Sequence, residues 1–191
     1  MKLHALTVVC LLLATGARAE VFHSRESALR LAFPGADRVE ERNLFLSAED
    51  AADAGRRAGS PLASRLVTVY VGWKQSAIMG HAFIDTHPVR TLPETVMIVI
   101  SKDGRVGAVH LLAFHEPPEY GPTPAWLRQF DRRALDSGLS LRGDIAGITG
   151  ATLTANSITA AVRRTLATYQ TELEKTTTVD SAPVADTGAA R

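Results

Sequence analysis

Cysteine is almost missing from this chain of 191 residues: Cys10, near the start, is the only one. A single thiol excludes an intrachain disulfide, a thiolate metal cluster, an iron–sulfur centre and a C-x-x-C-H haem attachment. An excess of either charge is lacking too, with 21 Lys and Arg against 20 Asp and Glu. Nothing here marks a nucleic-acid or anionic-membrane surface. Long apolar runs are absent except for 5–15, which is shorter than the roughly 20 residues that a bilayer span needs.

That one run has a different use. Lys2 precedes it and Ala17-Arg18-Ala19 follows it, giving the positive start, apolar centre and small-x-small site of an export signal. Residues 1–19 are therefore expected to be a signal peptide cleaved before Glu20. No small residues precede Cys10 in Thr7-Val8-Val9, so a lipid anchor is not expected. Cleavage would remove Lys2 and Arg18, leaving 19 of the 21 basic residues against 20 acidic ones, and would remove the thiol. The expected product is periplasmic and has no transmembrane segment, and any redox chemistry in it needs a cofactor not held by cysteine.

About 170 remaining residues suit one core. They are expected to divide into a helical and extended region at 20–64, a main domain at 65–175, and a disordered tail at 176–191, rich in Thr and Ala with little apolar bulk. Ser24 can cap a short helix bearing Ala28, Leu29 and Phe33, stopped by Pro34-Gly35. Ser47 can cap a second, Ala-rich helix running to Gly59, with a strand at 39–46 between the two. Residues 65–73 alternate, with Val67, Val69 and Val71 on one face, and 77–84 is a further strand. Strands at 95–100 and 105–114 flank Lys102-Asp103-Gly104, the clearest hairpin turn in the chain. Thr123-Pro124-Ala125-Trp126 reads as a capped helix start, with Trp126 as a core anchor. A helix from Thr154 to about Glu174 carries Ile158, Ala161, Val162 and Leu166 as its apolar stripe, with Arg163, Arg164 and Thr165 facing away. The sum is an α+β single domain: an antiparallel sheet with flanking helices.

Chemistry concentrates in Thr149-Gly150-Ala151-Thr152-Leu153-Thr154, set before that last helix. A helix start leaves about four N–H groups unpaired and carries the positive end of the helix dipole, which suits a phosphate. Thr149 and Thr154 add hydroxyl donors, and Gly150 removes a side chain that would block close approach. A plain glycine turn capped by threonines is the alternative. No histidine pair has metal-ligand spacing: His110 and His115, five apart on a strand, point to opposite faces. No metal site is expected. Nor is there a nucleophile elbow or an obvious pair of catalytic carboxylates.

The six-residue turn followed by a helix resembles the flavinylation motif of the FMN-binding domain family, roughly Asp-x-x-Ser/Thr-Gly-Ala-Thr-x-Thr/Ser. That family includes the G subunit of the Rnf complex, the C subunit of the sodium-pumping quinone reductase and the periplasmic part of the nitrous-oxide reductase maturation regulator. A second likeness lies upstream. The Asp-Gly hairpin, then Glu116-Pro117-Pro118-Glu119-Tyr120-Gly121, then Trp126, follow the order of the family's hairpin, Glu-Thr-Pro-Gly-Leu-Gly loop and tryptophan. The likeness spans about 65–168. It implies FMN joined to Thr152 by a phosphoester, a bond that a magnesium-dependent flavin transferase makes from FAD. It also implies that the loop of Glu116, Pro118 and Tyr120 lies near the isoalloxazine ring, although a plain loop between sheet and helix would read the same. The family's acidic residue falls at Ala146 here, with Asp144 two positions earlier.

Arg90 can bind the flavin phosphate or ring carbonyls, or pair at the surface with Glu94. The candidate cofactor residues are thus Arg90, Glu116, Pro118, Tyr120, Thr149, Gly150, Ala151, Thr152, Leu153 and Thr154. The resemblance implies an exported electron carrier maturing on a flavin transferase and exchanging electrons with membrane-linked or periplasmic partners. A non-redox adaptor of a respiratory assembly, or a partner subunit of a flavin-dependent reductase, are the other readings.

Overall fold

The computed structural model describes residues 20–173; the expected signal peptide and the expected tail from 176 onward lie outside the described residues. The framework is a six-stranded antiparallel sheet in the order β1-β6-β5-β4-β3-β2. Five strands are long: β2 (Arg38–Phe45), β3 (Leu66–Lys74), β4 (Ala77–Pro88), β5 (Pro93–Ser101) and β6 (Val106–Phe114). The sixth, β1 (Glu20–Val21), is a two-residue pairing with the end of β6. From β3 to β6 each strand pairs with the next, so tight turns fix most of the topology. Gly104 takes φ +74° in the turn after Asp103, the left-handed backbone that an Asp-Gly turn accommodates.

The helices follow their caps. Ser24 accepts from the Ser27 amide to start α1 (Arg25–Ala32), and Ser47 accepts from the Asp50 amide to start α2 (Ala48–Ala58). Thr123 does the same for the single turn α3 (Pro124–Leu127). The long helix α4 (Thr152–Thr168) begins two residues before the expected start, so Thr152 itself is its first residue.

Both faces of the sheet centre are covered. On one, Val69, Phe83, Val96 and Ile98 pack against Ile158, Val162 and Leu166 of α4, together with Trp126 and Phe130. Each large apolar side chain fully buried there contributes about 1.5–3 kcal/mol. On the other face Tyr70, Ala82 and Met97 meet Ala28 of α1 and Phe33. Gly72 is required there, because a Cβ on it would lie 2.4 Å from the Phe33 ring. Residues 20–64 are built into the same body: β2 pairs with β3 along its whole length, and Ala54 and Ala58 of α2 pack on Ala167 of α4. No helix among the described residues is long and apolar enough to cross a membrane.

One expectation for α4 fails. Arg163 and Arg164 do not face away, and Thr165 is buried. Arg163 donates to the carbonyls of Ala58 (2.8 Å) and Arg57 (3.2 Å), which the end of α2 leaves without helical partners. It also donates to the carbonyls of Asp136 and Leu139. A helix packed between a sheet and another helix has little solvent side, and its long cations are used as cross-links.

Candidate functional site

Three segments converge on one cavity of about 670 Å³: the β4–β5 turn, the segment after β6, and the start of α4. That volume is in the usual range for a small-molecule site. The turn gives Val89, Arg90 and Thr91; the second segment gives Glu116, Pro117 and Tyr120; the third gives Gly150 to Thr154. Eight of the ten candidate residues therefore line it: Arg90, Glu116, Tyr120, Gly150, Ala151, Thr152, Leu153 and Thr154. Thr149 and Pro118 do not. Thr149 lies exposed before the left-handed Gly150, and Pro118 is turned outward as the first residue of a 3-10 turn, leaving Pro117 on the cavity wall.

The α4 end of the cavity has the properties an anion needs. Ala151 is the N-cap residue and has no side chain able to cap, so among the described residues the amides of Thr152, Leu153 and Thr154 have neither a helical nor a capping side-chain partner. Gly150 takes φ +79°, and a Cβ there would meet nothing within 4 Å. The glycine is needed for backbone conformation, and its open side is cavity. Thr152 is exposed, Thr154 is buried, and Leu153 is half-exposed on the rim.

Glu116 ties two walls together. Its Oε1 accepts from the Thr91 and Leu92 amides, both at 2.9 Å. These bonds hold its carboxyl below the ordinary range. The segment before α4 is fixed as firmly. Trp126 Nε1 donates to the Ala146 carbonyl at 2.6 Å, and the Ala146 amide donates to Gln129 Oε1 at 2.8 Å. Trp126 is thus a core anchor that also sets the approach to the cavity. Asp144 is engaged elsewhere, with its carboxylate 2.7 Å from Arg133 Nη1.

The surface pairing of Arg90 with Glu94 does not occur. Glu94 is fully buried and meets His87 instead, with Oε1 2.8 Å from Nε2. The other ring nitrogen, Nδ1, lies 2.7 Å from Asp85 Oδ1, and Asp85 Oδ2 lies 3.2 Å from Arg164 Nη2. Burial alone would lower the His87 pKa, but its two carboxylate partners push it up to about 9. Burial raises Glu94, while His87 and Arg164 outweigh burial at Asp85 and hold it below its usual value. Sequence reading missed this group. Its available signal was Asp85-x-His87, two polar residues on one face of a strand otherwise built for a core. Among the described residues, no group of three or more Asp, Glu, His or Cys is placed to hold a metal ion.

Anion-receptive amides, an exposed threonine at the helix start, a tyrosine ring and the Arg90 guanidinium around one cavity suit a phosphate-bearing planar ligand. Residues 92–167 match the family profile of the FMN-binding domain. The chain therefore contains an FMN-binding domain, and the matched span runs from the β4–β5 turn through the Glu116 segment and nearly all of α4. Arg90, His87 and Asp85 precede it. No curated protein matches the chain.

Proposed function

We propose that this chain is an exported flavoprotein carrying FMN on Thr152 through a phosphoester, and that it relays electrons between membrane-linked donors and periplasmic acceptors. The observation that carries this reading is the placement of Thr152. Its side chain is exposed at the first position of a 17-residue helix that has no side-chain cap, on the wall of the cavity. A phosphate bonded to Thr152 Oγ1 would sit at the free amides and the positive end of the helix dipole.

Attachment needs FAD and a flavin transferase. Thr152 Oγ1 bonds to the phosphorus of the FMN half, the pyrophosphate bond breaks, AMP leaves, and the hydroxyl proton is released. When bound, the isoalloxazine ring accepts and returns electrons. The chain's own residues do the rest. The α4 amides hold the phosphate, Arg90 offers positive charge, Tyr120 offers a ring face, and the Glu116 bonds keep the Arg90 turn in place. Tethering suits a compartment where a lost flavin is not readily replaced, and it follows the likeness to the respiratory-complex subunits.

Co-expression with a flavin transferase, followed by intact-mass measurement, tests the reading. The expected result is a yellow protein heavier by FMN less one water, with Thr152→Val abolishing the increase. A colourless protein of unmodified mass that takes up no free FMN would support the adaptor reading instead.

A further inference from the structure

The group formed by the buried Glu94 with the half-buried Asp85, His87 and Arg164 has no part in the binding roles given above, yet it adjoins the turn that forms one cavity wall. Asp85 and His87 are two apart on β4, hence on one face, and His87 pairs in register with Glu94 on β5. One step further along the hairpin, Pro88 faces Pro93. They form a non-hydrogen-bonded pair of the ladder, where proline removes no bond between the two strands; the Pro93 carbonyl points the other way and accepts from the His115 amide at 3.2 Å. Beyond them comes the turn itself, closed by the Val89 amide on the Leu92 carbonyl at 3.0 Å. The His87–Glu94 contact at 2.8 Å adds a side-chain tie across the two strands at the base of this turn.

Both ring nitrogens of His87 lie within 2.8 Å of a carboxylate oxygen. A neutral imidazole has one N–H and would turn a lone pair toward one of those oxygens. The doubly protonated ring satisfies both. It also gives two cations, His87 and Arg164, for two anions, Asp85 and Glu94, in a place where unpaired charge is costly. These are the charged groups around the ring: Asp85 on its own strand, Glu94 on β5 and Arg164 on α4.

We infer that His87 is the positioning residue of the Arg90–Thr91 wall, and that its second ring proton fastens this wall to α4 through Asp85 and Arg164. The inference rests on the flavin reading of the cavity. With Glu116 gripping the tip of the turn and His87 its base, the three walls of the cavity are braced against one another. Loss of the ring proton leaves two carboxylates, the buried Glu94 and the half-buried Asp85, with one guanidinium, which contacts Asp85 alone. The base of the turn then loosens and Arg90 leaves its place over the cavity.

The test uses the flavin-free full chain, labelled with nitrogen-15, and follows the His87 ring and the amides of residues 89–92 by NMR between pH 6 and pH 10.5 (roughly the span around an ordinary and a raised histidine). Both ring N–H signals should be present at neutral pH and be lost with a midpoint near 9. The amides of Val89, Arg90 and Thr91 should shift with the same midpoint. Glu94→Gln removes an anion and should move both midpoints down by roughly one pH unit or more; Arg164→Gln removes a cation and should move them up. In parallel, FMN affinity from quenching of flavin fluorescence should fall several-fold across the same step and follow it in both variants. A ring that titrates at or below the ordinary value overturns the inference. So do turn amides that ignore the ring titration, or midpoints that stay fixed in both variants. Turn amides that follow the ring in a chain that binds no FMN at any pH would uphold the positioning role and overturn the flavin reading separately.

Discussion

The Oε1 atom of Glu116 lies 2.9 Å from the amide nitrogen of Leu92 and accepts its proton, although the two residues stand 24 apart in the chain. The same oxygen accepts from Thr91, so one carboxylate closes two backbone donors of a turn whose own ladder ends in prolines. This contact holds the Arg90 turn against the segment that carries Tyr120.

Glu116→Ala should release that turn. Hydrogen exchange at the Thr91 and Leu92 amides should quicken by roughly tenfold, as expected for a local opening, with a much smaller change in the global melting temperature. Acid should act similarly on the unaltered chain. Because the folded-state pKa of Glu116 is depressed, its contribution is present above the ordinary Glu value of about 4.3 and is lost as pH falls through the folded value. Protection of those two amides measured down a pH series checks both statements.

Trp126→Phe keeps a ring in the core but removes the N–H that reaches the Ala146 carbonyl. A lost hydrogen bond of this kind costs about 1 kcal/mol, measurable as a lower denaturant midpoint with an unchanged slope. Faster exchange across residues 144–150 should accompany it, since that segment loses one of its two ties to the helices after β6.

Gly72→Ala places a methyl group 2.4 Å from the Phe33 ring. Overpacking of this type costs about 1–3 kcal/mol. Phe33→Leu made together with it should recover part of the loss, and a double-mutant cycle on thermal melts would show the coupling. Additive losses would mean that the backbone, not the ring, absorbs the clash.

Ala146→Asp restores the acidic position of the flavinylation motif. The Ala146 backbone is held from both sides, yet its side chain is exposed, so the new carboxylate can be accommodated without repacking. Labelling by a flavin transferase should start faster than with the unaltered chain, as read from intact mass in a timed reaction. Asp144, held by Arg133, should not matter: Asp144→Asn is expected to label at the unaltered rate.

Much of the fold is legible in the sequence. Ser24, Ser47 and Thr123 declare helix starts because a cap is a bond between a side chain and an amide three residues on. The Asp103-Gly104 turn and the alternating runs declare the meander for equally local reasons. The Thr149–Thr154 turn falls in the same class. Its chemistry depends on a helix starting where the sequence says one starts, although α4 begins two residues earlier than its apolar stripe suggested. Eight of the ten candidate residues line one cavity; Thr149 stands before the left-handed Gly150 and Pro118 opens a 3-10 turn, both off its wall.

The remainder depended on partners distant in sequence. Amphipathic spacing assigned Arg163 and Arg164 to solvent, because a helical pattern does not record that a second helix and the sheet will cover the polar side. One of the two readings of Arg90 paired it with Glu94 at the surface, since only strand register shows that Glu94 faces His87 and is buried. By itself the sequence determined the elements, their order and the anion-receptive start of α4, all settled by contacts within a few residues. Tertiary structure alone decided which charges are buried together and which loops are braced against the cavity. Those energies arise only when segments far apart in the chain exclude water between them.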